Sequence, residues 1–205
     1  PPDLDRTRPG IVHRLDKGTS GLMVVARHPR AREHLKAQFA AHSIEREYVA
    51  ICVGDVAEKT FETLHGRHPT DRLRFSSKVK TGKRACTHVR PIERFGGHAT
   101  YVSCRLETGR THQIRVHLAS IGHPVVGDDT YGGGGGRRLM ALPPQRHFLH
   151  AAWLIFPHPV TGAPIDLRSP LPADLARSLA AAAGSDELLS HPDPLDVFGF
   201  YRLDS

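Results

Sequence analysis

The residue types able to do chemistry gather in two polar clusters. The first is His13-Arg14-Leu15-Asp16-Lys17-Gly18-Thr19-Ser20-Gly21, directly ahead of an apolar run. It reads either as a functional cluster or as a turn in which Asp16 or Thr19 caps backbone donors. The second is Glu107-Thr108-Gly109-Arg110-Thr111-His112-Gln113-Ile114-Arg115-Val116-His117. It reads either as a helix start with a threonine cap and a solvated basic face, or as an anion site. The second reading follows because Gly109, Arg110, Arg115 and His117 surround one helix amino terminus. Other chemistries lack their residues. The five glycines at 132–136 are not followed by the GK[ST] of a phosphate loop, and no GxGxxG follows a strand. The chain has 15 histidines but no HExxH and no Cys/His cluster of ligand spacing, so no metal is expected. No motif places a second carboxylate to serve Asp16 as a partner acid, which disfavours a glycoside-hydrolase type of reaction.

The elements around these clusters follow from hydrophobic periodicity. Residues 21–26 are a short apolar run, expected as a buried strand. Pro29 opens a helix to about His42, with Ala31, Leu35 and Phe39 as its buried stripe and Arg30, Arg32 and Lys36 off it. Residues 48–53 form a second apolar strand, ended by Gly54. Residues 60–80 are basic, with short strand-like pieces. Residues 85–94 and 100–106 alternate as strands, the second with Val102, Cys104 and Leu106 on one face. A helix follows, with Ile114, Leu118 and Ile121 as its stripe and Gly122 at C′; His112 and Arg115 are expected on the opposite side. The glycine run is expected as a flexible loop. Residues 148–156 form another buried strand, and a last helix runs from Pro172 to about Ala183. The remainder, rich in Pro, Asp and Ser, has weak periodicity. Strands outnumber helices, and the helices are inserted between them. The fold class expected is α+β with a mixed, largely antiparallel sheet.

Composition narrows the partner. The 205 residues carry 28 Lys and Arg against 21 Asp and Glu, a formal charge of +7, which favours a polyanion such as nucleic acid. No apolar run approaches the roughly 18 residues that would span a membrane, and no signal peptide is visible. Cys52, Cys86 and Cys104 are odd in number and form no CxxC, so they read as reduced thiols of a cytoplasmic protein.

Several blocks together resemble one family. HRLDKGTSGLMVVAR (13–27), REYVAICVG (46–54), RACTH (84–88), LETGRTHQIRVHLASIGHPVVGDDTYG (106–132), LHA (149–151) and HPVTG (158–162) are similar, in order and spacing, to the RluA-like pseudouridine synthases. The resemblance covers residues 9 to 180. It implies the pseudouridine synthase catalytic fold over residues 1–183, with a separate tail at 184–205. It also implies that the family's first strands are missing, because relatives carry more sequence ahead of HRLD. Gly18 stands where relatives often carry an acid.

The resemblance implies residue roles as well. Asp16 matches the catalytic nucleophile. Tyr48 matches the tyrosine that packs on the target base, and Arg115 the basic partner of the aspartate. Arg14 matches an arginine that holds the target nucleotide out of its helix. His13, Gly109, Arg110, Thr111 and His112 fall in the matching blocks beside the substrate. The implied reaction converts uridine to pseudouridine in structured RNA: N1–C1′ breaks, the base turns, and C5 is joined to C1′. It is redox-neutral, so no cofactor is expected. The RNA expected is 23S rRNA. Alternatives are the same chemistry on tRNA, or an RNA-binding protein without catalysis, though pure binding does not require the trio of Asp16, Tyr48 and Arg115. A monomer is expected.

Overall fold

The computed structural model describes residues 10–137 and 140–201. The polar lead-in at 1–9 and the tail's last residues, 202–205, lie outside them. In chain order the elements are β1 (Ser20–Gly21), α1 (Pro29–Ala40), β2 (Glu45–Val53), β3 (Lys59–Arg67), β4 (Phe75–Ser76), β5 (Lys83–Phe95) and β6 (Ala99–Leu106). They continue with α2 (Gln113–Ser120), a 3-10 turn at Gly133–Arg137, β7 (Leu149–Pro157), β8 (Pro164–Arg168) and α3 (Ala173–Ala183). A second 3-10 turn (Asp186–Ser190) and the short α4 (Pro194–Val197) complete them. One sheet has the order β1-β7-β2-β6-β5-β3-β4, with β8 also paired to β7. Only β1 runs parallel to its neighbour; the other pairings are antiparallel. The α+β class with a mixed, largely antiparallel sheet is therefore observed.

Strand alternation sorts the interior onto two faces of this sheet. Val49, Ile51 and Tyr101 point to one face, which α3 covers with Leu175 and Leu179. Leu188, Leu195 and Phe200 join that cluster, so residues beyond α3 fold back onto the core. Their apolar side chains sit on short, separate turns, which is why the sequence there shows little periodicity. Tyr48, Ala50 and Cys52 on β2, and Val102, Cys104 and Leu106 on β6, point to the other face, under Ile114 and Leu118 of α2.

Three readings of the sequence are corrected. The apolar run at 21–26 is not a continuous strand. Only Ser20 and Gly21 pair with β7, and Val25 makes a lone bridge to Ile11. Gly21, at φ 111°, passes so close to β7 that a Cβ would collide with the Ala151 backbone, and the chain then turns off the sheet. Met23 and Val25 are left exposed. Nor is the polar side of α2 solvated. All residues from Gln113 to Leu118 are buried, including Arg115 and His117. Its stripe is also shorter than expected, because Ile121 lies at the C-cap and is exposed.

Candidate active site

Asp16 belongs to a turn that β1 fastens to the start of β7. The Thr19 N–H donates to the Asp16 carbonyl at 3.0 Å. Thr19 Oγ1 is 2.7 Å from His147 Nε2, and Ser20 Oγ is 2.9 Å from His150 Nδ1. The Asp16 carboxylate takes a different partner: Arg115 Nη1 donates to its Oδ2 at 3.3 Å. The carboxylate is thus held by a fixed cation ninety-nine positions away in sequence.

That cation is itself fixed from behind. Arg115 Nε and Nη2 donate to the two Asp128 oxygens at 2.6 and 3.0 Å, a bidentate fork. Asp128 is 1% exposed and also accepts the backbone N–H groups of Thr130 and Tyr131. The Tyr131 ring lies 5.1 Å from the guanidinium. Burial works against the Arg115 charge. The hydrogen bonds and charge of Asp128, with Asp16 added, outweigh it and hold the guanidinium above its ordinary pKa. Burial likewise opposes the Asp128 charge, and Arg115 reverses it, keeping that carboxyl below its usual range.

A cavity of about 420 Å³ opens beside Asp16. Tyr48 lies on its wall, and burial foremost pushes its phenol up to about 12, with Arg46 opposing and Asp16 reinforcing. The phenol is therefore a neutral hydroxyl at physiological pH. His13, Arg14, Gly109, Arg110, Thr111 and His112 line the same space, so the two sequence clusters converge there. Arg115 does not line it. It reaches Asp16 from a neighbouring cleft of about 250 Å³ shared with Lys17, Asp128 and His147. Local bonds fix several of these groups. His13 Nε2 accepts the Val24 N–H at 2.8 Å, and its ring stacks on Phe39 at 4.7 Å. Arg110 Nε donates to the Arg84 carbonyl at 2.8 Å. His112 sits at φ 58° at the start of α2, its Nδ1 2.9 Å from the Tyr131 hydroxyl. Arg14 is exposed.

Sequence reasoning missed Arg46, Asp128, Tyr131 and His147. Arg46 lines the cavity, is 6% exposed, and lies 5.3 Å from the Phe39 ring. Its signal was available: on β2 it stands two positions from Tyr48, hence on the same face. Asp128 carried only a weak signal, an acid in a glycine-flanked turn.

The histidines around the site define a pH response. Burial pushes His13, His117 and His147 each down to about 4, helped by Arg46, His65 and Arg115 respectively. Unfolding returns them to about 6.5, so between pH 6.5 and 4 the unfolded chain binds more protons and stability rises with pH. Melting temperature is expected to be flat above pH 7 and to fall steadily below 6.5. The loss should be on the order of 3 kcal/mol for each histidine by pH 4, roughly 9 kcal/mol for the three together. Melts across this range check it, with a shallower acid slope expected for His117→Gln.

Solved structures put this architecture in the pseudouridylate synthase class. The human protein RNA Pseudouridylate Synthase Domain Containing 1 superposes with a TM-score of 0.68 over 93% of this chain and 85% of that one, at 29% identity. The family described as RNA pseudouridylate synthase matches residues 1–120, and the chain belongs to it. Ribosomal large subunit pseudouridine synthase D of Xylella fastidiosa is 48% identical over 183 residues, covering 85% of this chain and 55% of the relative. The protein of that name from Salmonella typhimurium is 42% identical over 205 residues, covering 96% of this chain and 62% of the relative. The chain thus spans somewhat more than half the length of these relatives.

Proposed function

We propose that this chain isomerises specific uridines to pseudouridine in structured RNA of the large ribosomal subunit, with Asp16 as nucleophile. One observation carries the reading: a carboxylate on the wall of a nucleoside-sized cavity, gripped by a buried arginine that a second buried acid holds in place. The fixed guanidinium orients the carboxylate and faces it with an opposite charge, as a nucleophile on this wall requires. Tyr48 offers an aromatic face for uracil while the base turns, and its neutral hydroxyl can take part in proton transfer. The cavity holds one nucleoside and not a duplex, so the target must be flipped out of its helix. Exposed Arg14 suits holding it there, and Arg110, Thr111 and His112 suit its backbone and sugar. The family's activity, and the names of relatives that act on ribosomal RNA, support this substrate over tRNA. The reaction changes no oxidation state and transfers no external group. The reading takes the protein to act as a monomer in the cytoplasm, and no helix among the described residues is long and apolar enough to cross a membrane.

The deciding experiment maps pseudouridine in rRNA and tRNA from a strain lacking the gene, with the gene then restored. A site lost and regained in large-subunit rRNA supports the proposal. A site in tRNA alone would move the substrate, and no lost site would remove the activity. Binding should also be electrostatic. RNA affinity is expected to fall about tenfold or more between 50 and 200 mM salt if several phosphates are contacted. Filter binding at both ionic strengths tests this, and a flat response would count against an RNA substrate.

A further inference from the structure

On the sheet face turned away from the cavity, strand alternation and the β5–β6 pairing bring together three metal-ligating groups. Cys86 and His88 are alternate residues of β5, and Glu107 follows β6. Cys86 Sγ lies 3.8 Å from His88 Nε2, and Glu107 Oε1 lies 2.7 Å from the same nitrogen. One donor atom from each falls within 4.8 Å of the others. We infer that Cys86, His88 and Glu107 form a binding site for a zinc-class divalent cation, with which Arg84 competes for Glu107.

The geometry argues for an ion over a catalytic relay. In a relay the acid and the thiol engage opposite ring nitrogens of the histidine. Here both converge on Nε2, as the ligands of one ion do. The other nitrogen, Nδ1, sits 3.0 Å from Thr60 Oγ1 and gives the ring an outer partner. Ligands about 2.0 to 2.3 Å from a tetrahedral zinc stand roughly 3.5 Å apart. Cys86 and His88 are already close to that spacing. Glu107 must retreat by less than about 1 Å, which its half-exposed side chain allows.

The charges are also matched. A thiolate and a carboxylate neutralise a divalent cation, and the imidazole binds as a neutral ligand. The Cys86 thiol gives up its proton to solvent when the ion binds, since the thiolate is the ligand. The His88 proton moves from Nε2 to Nδ1, toward Thr60, and one proton is released in all. Arg84 supplies the cation in the meantime. Its Nη2 donates to Glu107 Oε2 at 3.0 Å and its Nε to Glu62 Oε1 at 2.9 Å. Glu62 stands opposite Cys86 in the β3–β5 register. The Arg84 side chain is 47% exposed and free to swing into solvent. When it leaves, water can complete the shell.

Zinc and cobalt titrations of the 205-residue chain test the site. One equivalent of zinc is expected to bind at about micromolar affinity or tighter. Cobalt should produce the near-ultraviolet charge-transfer absorption of a thiolate ligand. That absorption should vanish in Cys86→Ser. Zinc affinity should fall by about tenfold or more in His88→Ala, whose partly exposed position spares the core if Cys86→Ser fails to fold. Arg84→Gln should bind zinc more tightly than the unchanged chain, because the competing cation is gone. No stoichiometric binding, a thiolate band that survives Cys86→Ser, or an affinity indifferent to His88→Ala would overturn the site. An Arg84→Gln affinity no better than the parent would overturn the role of Arg84. None of these readouts depends on the proposed activity.

Discussion

Asp16→Asn is expected to abolish pseudouridine formation while leaving the fold and most RNA affinity intact. The amide nearly matches the carboxylate in shape but cannot act as an anionic nucleophile. Asp16 makes one 3.3 Å bond to Arg115, whereas Asp128 makes the two shorter ones. Loss of the Asp16 charge therefore leaves Arg115 paired, and the stability change should stay within about 1 kcal/mol. RNA affinity should stay within about tenfold, roughly 1.4 kcal/mol, because phosphate contacts dominate binding. A residue that served only a turn would behave differently: its variant would melt earlier and keep its activity in the folded fraction. Tritium release from 5-tritiated uridine RNA, read beside thermal melts, separates the two. A well-folded Asp16→Asn protein releasing tritium at the parental rate would end the nucleophile assignment.

What the sequence disclosed about this site follows a physical divide. Features set by short-range periodicity were legible. Val102, Cys104 and Leu106 do share one face, and Gly122 does take a positive φ just past α2. The helix expected from Pro29 to about His42 is α1, ending at Ala40. The convergence of the 13–21 and 106–117 clusters was legible only through resemblance. No local pattern says that β1 pairs with β7 or that α2 lies across the sheet. The Asp128 fork onto Arg115 was hidden for the same reason, since both residues are polar and polar residues are expected outside. The Cys86, His88 and Glu107 group escaped a search by metal-ligand spacing because strand register, not sequence spacing, assembles it. The glycine run misled in another way. It forms a 3-10 turn, and Gly133 is buried where a Cβ would strike the Val125 carbonyl, so close packing rather than flexibility explains glycine at that position.

The second large effect is expected at Arg115, and the structure makes it a joint loss of chemistry and stability. Arg115→Met removes the cation that Asp16 faces and strands Asp128, a 1%-exposed carboxylate, with the backbone donors of Thr130 and Tyr131. Breaking a buried pair from one side costs about 3 to 5 kcal/mol, because the remaining charge is uncompensated. The variant should therefore be nearly inactive and much less stable, which by itself would not separate the two causes. Arg115→Lys separates them. The ammonium keeps the charge beside Asp128 but cannot form the fork onto Asp128 and reach Asp16 in the same geometry. It should recover most of the stability while turnover stays at least about a hundredfold low, roughly 2.7 kcal/mol in the barrier. Asp128→Asn should mimic it, because an amide holds the guanidinium more weakly than a carboxylate. In the double variant Asp16→Asn/Arg115→Lys the activity losses should not add, since each removes the same function. Single-turnover tritium release on saturating RNA, with melts for each variant, measures both quantities. Full parental turnover in Arg115→Lys would show that charge alone suffices, and that the fork onto Asp128 positions nothing the reaction uses.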